Sequence, residues 1–387
     1  MTTFELDRQY VAHTYNRFPL EIVGGEGAKV FGADGKDYID LGSGIAVNIF
    51  GMNDAPWRDA VTAQLSRFAH TSNLYYNAPA AQLAQMLCAR TGLKRVFFSN
   101  SGAEANECAI KVARKWAAVN KGAQYRNIIT LKSSFHGRTL ATLSATGQDA
   151  FHQDYQPLPG GFLYAQVGDA AGLEKLVKEN PCAAIFFEAV QGEGGVTPIG
   201  QDFADALSRI ARENDLLLLA DEVQIGNGRS GQLYGYMHYG LSPDVVTTAK
   251  GLGGGLPIGA TLLGDRVCDV FSPGDHGSTF GGNPVACAGA IHILSRIDEE
   301  LLLQVREKSA YIFDAFKDAP GFDSVSGMGL MIGLAPKKPA RELAELALQN
   351  GLLLTTAKQK LRLLPPLNIP MALLESAVQT LKRCAVQ

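Results

Sequence analysis

The sequence predicts an α/β protein with a large domain, built on a mostly parallel sheet flanked by helices, and a small α/β domain. Two observations carry that prediction. In the middle of the chain, short continuous apolar runs alternate with helical patterns, the mark of parallel strands covered on both faces. Toward both ends the pattern changes. A hairpin-like stretch precedes residue 50, and helices alternate with short strands after about residue 298.

With 387 residues and roughly 100–200 residues per domain, two domains are expected. We divide the chain into an N-terminal segment (1–50) that joins the small domain, a large ligand-binding domain (51–290) and a C-terminal small domain (291–387). Residues 27–40 read as a hairpin turning at Asp34-Gly35. Residues 95–99 read as a strand and 103–118 as a helix, with Ala105, Ala109, Val112, Ala113 and Trp116 near helical spacing. Strands follow at 127–131, 183–187, 216–220 and 245–248, with a helix over 203–214. Helices over 299–319, 340–350 and 372–384 belong to the small domain.

Composition narrows the function. The chain is 46% hydrophobic and 19% charged, with a formal net charge of -3, so no nucleic-acid surface is expected. The six cysteines are scattered without metal-ligand spacing, so free thiols and no metal are expected. No targeting segment and no apolar run long enough for a membrane is seen, and the expectation is a soluble, cytoplasmic protein.

Ligands of an open α/β sheet sit beyond the carboxyl ends of its strands. After 95–99 comes Asn100-Ser-Gly-Ala-Glu-Ala-Asn106, where Ser101, Gly102 and Ala103 offer bare N–H groups at a helix start, a phosphate site on physical grounds. The plain alternative is a Ser N-cap. After 127–131 comes Phe135-His-Gly-Arg138, with Phe135 or His136 to stack on a planar ring and Arg138 to grip a carboxylate. The alternative is a core Phe and a surface Arg. After 183–187 come Glu188 and the glycines around Glu193, which let that acid approach a ligand or make a plain turn. Asp221, after 216–220, needs a cation partner, either a cofactor's ring nitrogen or a neighbouring Arg. Lys250, before Gly251, fits a Schiff-base lysine, or a solvated loop lysine.

The motifs Ser99-Asn-Ser-Gly-Ala-Glu-Ala-Asn106, Phe135-His-Gly-Arg138, Gln191-Gly-Glu-Gly-Gly195, Asp221-Glu-Val-Gln224, Gly226-Asn-Gly-Arg-Ser-Gly231, Lys250 and Gly277-Ser-Thr-Phe-Gly-Gly-Asn-Pro284 occur in that order. In this set and order the chain resembles the class III aminotransferases of pyridoxal-phosphate (PLP) fold type I, from about Gly24 to Arg362. Within the class it is most similar to the acetylornithine aminotransferase branch, through Gly44-Ile-Ala-Val47, Tyr236-Met-His-Tyr-Gly240 and His276-Gly-Ser-Thr279.

The resemblance implies pyridoxal 5'-phosphate as cofactor, held by Lys250, with Asp221 on its ring nitrogen. It implies Phe135 and Val223 on the two ring faces, Gln224 on the phenolic oxygen, and Gly102 and Ala103 on the phosphate. Thr279 is implied to bind phosphate across a homodimer interface, with Ser278 near the substrate. Arg138 and Arg362 are implied to take substrate carboxylates, with Glu193 masking Arg362 between half-reactions. The implied substrates are acetylornithine and 2-oxoglutarate. The rival readings are another ω-amine donor and a non-catalytic PLP-binding protein. Ala103 departs from the pattern where a hydroxyl is frequent, as does Met52-Asn53 where Gly-His is usual. Gly44 stands where ornithine aminotransferases tend to carry an aromatic, leaving room for an acyl group.

Overall fold

A computed structural model describes residues 1–387. Its centre is a seven-stranded sheet, ordered in space Arg95–Ser99, Gly259–Leu263, Val245–Thr248, Leu217–Asp221, Cys182–Phe187, Asn127–Leu131, Phe162–Ala165. All neighbours are parallel except Gly259–Leu263, which runs antiparallel to both of its partners. The sequence reading did not place that strand or Phe162–Ala165. Both are short and lack the clean helix–strand alternation that marks the others.

The continuous apolar runs are strands because both faces are covered. All six residues of Cys182–Phe187 are buried, as are all five of Leu217–Asp221. The helix Gly102–Asn120 lays Ala105, Ala109, Val112, Ala113 and Trp116 on the sheet, the stripe its sequence spacing implies. Small residues on this stripe let the helix lie close to the strands.

The predicted hairpin forms: Lys29–Gly32 pairs antiparallel with Asp37–Asp40, Val30 opposite Tyr38. Gly35 supplies the left-handed turn position at φ 79°, and the Tyr38 hydroxyl donates to Asp34 Oδ2 at 2.7 Å. Asp37–Asp40 also pairs, in parallel, with Leu352–Leu353, so the N-terminal segment shares a sheet with the C-terminal part of the chain. A four-stranded antiparallel sheet of Phe322–Met328, Met331–Pro336, Lys360–Leu363 and Thr355–Ala357 completes that part. The helices there are Glu299–Phe316, Ala340–Gln349 and Met371–Val386. No helix is long and apolar enough to cross a membrane.

Candidate active site

The carboxyl ends of the parallel strands surround a cavity of about 600 Å³, within the usual size for small-molecule sites. Strand Leu217–Asp221 ends on Asp221, which is 4% exposed. Its Oδ2 accepts from Asn106 Nδ2 at 2.8 Å and lies 2.8 Å from His136 Nδ1, while Oδ1 accepts the Val223 N–H at 3.0 Å. No Lys or Arg pairs with it. The ordinary fate of such an Asp, a salt bridge to a neighbouring Arg, is thereby excluded. The carboxylate marks Nδ1 as the His136 nitrogen that carries the proton.

The residues alone left the stacking aromatic open between Phe135 and His136, and the resemblance pointed to Phe135. Geometry commits His136 to Asp221, with its ring stacked on Phe186 at 4.1 Å. Phe135 remains in the cavity wall, edge-on to Phe151 at 5.9 Å. Its N–H donates to Glu188 Oε1 at 2.9 Å, and the Gly192 N–H donates to Glu188 Oε2 at 3.2 Å. Glu188 therefore ties together two strand-end loops.

Lys250 follows strand Val245–Thr248 with a left-handed φ of 46°. The residue is half-buried and lines the cavity. Burial pulls its amine below the usual lysine range. Glu193, Asp221 and Glu188 oppose that shift and Arg362 adds to it. A lowered lysine pKa leaves more free amine at neutral pH, which is what a nucleophile needs. The solvated-loop reading does not describe this residue.

At the start of helix Gly102–Asn120, Ser101 caps the helix by accepting the Glu104 N–H at 3.2 Å. Beyond the cap, the Gly102 and Ala103 N–H groups begin the helix and have no intrahelical acceptor. A Cβ at Gly102 would lie 2.6 Å from Val223 Cγ1, so only glycine lets Val223 close over this end. The Ser101 cap leaves the Gly102 and Ala103 N–H groups free at the cavity wall, where a helix start favours an anion.

Arg362, in strand Lys360–Leu363, is 2% exposed. Its Nη1 donates to Glu193 and, at 3.0 Å, to Gln224 Oε1, while its Nε reaches Thr355 Oγ1 at 3.3 Å. Gln224 lines the cavity and the ion pair lies behind it. Burial pushes the Glu193 carboxyl up, but the charge and hydrogen bond of Arg362 outweigh it and hold the group below the usual range. Arg138 lies at the exposed side of the wall, 4.1 Å over the Phe151 ring and 5.5 Å from that of Phe135, with no carboxylate partner.

Besides Glu193 and Arg362, three expected residues lie outside this cavity. Ser278 Oγ accepts from Asn100 Nδ2 at 3.2 Å and from the Gly281 N–H at 2.9 Å, and neither it nor exposed Thr279 lines the wall. Gly44 lines a neighbouring, mainly apolar cavity of about 390 Å³, so the acyl room expected there does not open into this site. Conversely, sequence reasoning gave no role to Asn106, which binds Asp221 and accepts from Thr247 Oγ1 at 2.6 Å, nor to Tyr15, which lines the cavity. Asn106 stands inside a motif the sequence did single out, but its partner is 115 residues away.

The model of the family Aminotransferase class-III matches residues 10–385. The chain belongs to the class-III aminotransferases. An acetylornithine aminotransferase of Haemophilus ducreyi is 46% identical over 97% of this chain and 96% of its own length. One from Aquifex aeolicus is 43% identical over 96% of this chain and 99% of its own. Among solved structures, N-acetylornithine aminotransferase from Stenotrophomonas maltophilia superposes with a TM-score of 0.86 at 34% identity, covering 99% of this chain and 98% of that one. Ornithine aminotransferase from Toxoplasma gondii superposes with a TM-score of 0.95 at 30% identity, covering 99% and 94%.

The cofactor of class-III aminotransferases is PLP, and a second structure of the Toxoplasma enzyme records it at the active site. The residues of this class-III aminotransferase fit that group. An anion cradle, a buried carboxylate without a cationic partner, an aromatic wall and an amine with lowered pKa surround one cavity of adequate size.

Proposed function

We propose that this protein transfers the δ-amino group of N2-acetyl-L-ornithine to 2-oxoglutarate, releasing N-acetyl-L-glutamate 5-semialdehyde and L-glutamate in arginine biosynthesis. The observation that carries this reading is a pair of arginines in opposite states: Arg138 free at the cavity wall and Arg362 masked by Glu193. A donor with one carboxylate remote from its reacting amine needs one arginine. A keto acid with two carboxylates needs both. A mask that opens for the second substrate lets one site serve each in turn. The names of the relatives supply the donor.

Bound PLP supplies an electron sink for the charge left when the donor carbon loses its proton. Lys250 would hold the cofactor, with Nζ then acting as the base that takes this proton and the acid that returns it. Asp221 would present its negative charge to the ring nitrogen, and Asn106 and His136 keep its carboxylate in place. Phe135 and Val223 would confine the ring, Gln224 would lie toward its phenolic oxygen, and Ser101, Gly102 and Ala103 would hold the phosphate. A panel of amines with 2-oxoglutarate tests the assignment. Acetylornithine is expected to have the highest kcat/KM, and a preference for free ornithine would overturn the choice of donor.

Arg138→Ala is expected to raise KM for acetylornithine by about ten- to a hundredfold, the worth of a charge-assisted contact of roughly 1.5–3 kcal/mol. An unchanged KM would remove Arg138 from donor binding.

Glu193→Gln separates the masking role. It is expected to raise the KM for acetylornithine more than that for 2-oxoglutarate, because Arg362 stays unmasked. It also destabilises the protein at neutral pH, since removing one partner of a buried pair costs about 3–5 kcal/mol at most, less here because Glu193 is partly exposed. Glu193 has a folded pKa below its unfolded value. Its contribution is therefore full above the unfolded value and lost as pH falls through the folded one. Denaturant curves of the wild type and the variant should converge toward acid pH, and a constant gap would contradict the pairing.

A homodimer is part of this reading. Asn73 Nδ2 donates to the Ser278 and Gly281 carbonyls at 2.9 and 3.0 Å, joining two segments that carry Leu74, Tyr75, Tyr76 and Phe280, all largely exposed. Such a cluster of apolar surface suits an interface, the kind across which the family resemblance carries Thr279 to a partner's phosphate site. Tyr76→Asp is expected to shift sedimentation toward monomer and weaken PLP binding about tenfold or more, the loss of roughly 1.4 kcal/mol. A dimer of unchanged affinity would exclude this face.

A further inference from the structure

Ser43, Gly44, Ile45 and Ala46 all take left-handed φ values of 47°, 60°, 64° and 63°. Three of the four carry side chains, and a left-handed helical conformation costs an L-residue roughly 1–2 kcal/mol. Strain of this kind persists only where the surroundings over-determine it, and it concentrates at functional sites.

The surroundings hold this turn from several directions. Asp40, buried at the end of strand Asp37–Asp40, accepts the N–H groups of Gly42 and Ser43 through Oδ1, both at 2.8 Å. The chain after strand Lys360–Leu363 clamps both ends: the Leu364 N–H donates to Leu41 O at 2.6 Å and the Leu367 N–H to Ile49 O at 2.8 Å. Between these two, the Pro365 carbonyl accepts from Arg229 Nη1 at 2.8 Å, and Leu330 O accepts from the same nitrogen at 3.0 Å. Arg229 is completely buried and leaves Nε and Nη2 without a partner. No carboxylate stands within ion-pair reach of it, and Asp40 is the carboxylate whose charge offsets its burial.

On its other side the turn presses on the residue that follows Lys250. A Cβ at Gly251 would lie 2.8 Å from Ile49 Cγ1 and 3.2 Å from the Ala46 carbonyl oxygen. Val47 lines the large cavity, while Gly44, Ile45 and Asn48 line its apolar neighbour. The turn is thus the wall between the two cavities and the backing of the Lys250-Gly251 peptide.

We propose that Asp40 and Arg229 are positioning residues that hold the left-handed turn 43–46 against Gly251 and thereby set the place of Lys250. Asp40 stabilises the turn directly through two backbone bonds. Arg229 acts on it through the 364–367 stretch, by its hydrogen bond to the Pro365 carbonyl. This inference rests on the reading of Lys250 as the cofactor-holding residue.

Three measurements test it. In cofactor-free protein, Asp40→Ala, which removes the oxygen accepting both N–H bonds, is expected to raise amide exchange across 42–48 and at 250–252 by about tenfold or more, while the central strands keep their protection. In the PLP-loaded protein, the circular dichroism of the bound-cofactor band changes. Its kcat falls by about ten- to a hundredfold, the scale of a small misplacement of a reacting group, with KM for both substrates within about twofold. Adding Ala46→Gly, which removes the positive-φ penalty at that position, restores much of the kcat. If 42–48 loosens while exchange at 250–252, the dichroism and kcat stay put, the turn is only structural and the proposal is overturned. Absence of rescue by Ala46→Gly also overturns it. Should Asp40→Ala not fold, Arg229→Lys poses the same question more mildly, and an unchanged dichroism and kcat there would be fatal. Failure of the Lys250 reading itself would appear elsewhere, as a borohydride-fixed label on another residue of the wild type.

Discussion

Lys250→Ala is expected to lower kcat for the complete transamination by at least about 10⁴-fold, equivalent to about 5 kcal/mol of transition-state stabilisation. The size of the effect follows from one amine having two duties. It is the only lysine lining the cavity, so no other primary amine stands ready to replace it as covalent anchor or as proton carrier. Burial, which pulls its pKa down, makes it competent for both. Binding of the cofactor should survive in weakened form, because the cradle at Gly102 and Ala103 and the carboxylate of Asp221 do not depend on the lysine. The measurement is single-turnover kinetics, with borohydride reduction of wild type and peptide mapping. The pyridoxyl label belongs on the peptide holding Lys250. Residual activity within a hundredfold of wild type, or a label elsewhere, would falsify the assignment.

The second large effect is expected at Asp221. Asp221→Ala should lower kcat by about 10²–10³-fold, the typical loss when a preorganised charge facing the reaction is removed. It also strands the donors on Asn106, His136 and the Val223 N–H, each costing about 1–3 kcal/mol if left buried and unpaired. The two consequences separate experimentally. Denaturant unfolding of cofactor-free protein reports the stranded donors, and kcat reports the lost charge. Asp221→Glu keeps the charge and displaces it, so it should recover part of the activity. An alanine variant that retains more than a tenth of wild-type kcat would show that the ring nitrogen needs no partner here.

Much of the architecture was readable in advance because burial writes itself into composition. A strand covered on both faces has nothing but apolar residues to show, as in Ala183-Ala-Ile-Phe-Phe187. A helix on that sheet repeats small apolar residues at its own period, as in 105–116. The strand Gly259–Leu263 escaped because an antiparallel insertion between parallel strands has no distinguishing local pattern. Its pairing is decided by Phe98 and Val246 on either side.

The residue types of the site were legible for the same reason. A charged group at the end of a fully buried strand is costly and calls for a partner, and Asp221 and Lys250 both stand at such ends. Residue types alone did not choose between Phe135 and His136, since their neighbours Phe151, Phe186 and Asp221 lie at different distances along the chain; the family resemblance chose Phe135. Nothing local announces that Asn106 binds an acid 115 residues later, or that Glu193 finds Arg362 at a separation of 169.

By itself, then, the order of residues determined the fold class, the strand ends that meet a ligand and the chemical kinds of group found there, because each is a local consequence of burial, period and turn chemistry. The tertiary structure alone decided that His136 and Asn106 pair with Asp221 and that Arg138 has no carboxylate partner, while the Arg362–Glu193 pair is the one the family resemblance implies. It also decided that Gly44 faces a separate cavity and that a left-handed turn backs Lys250. These are contacts between distant segments, and their energies depend on separations of a few ångströms that no single stretch of chain encodes.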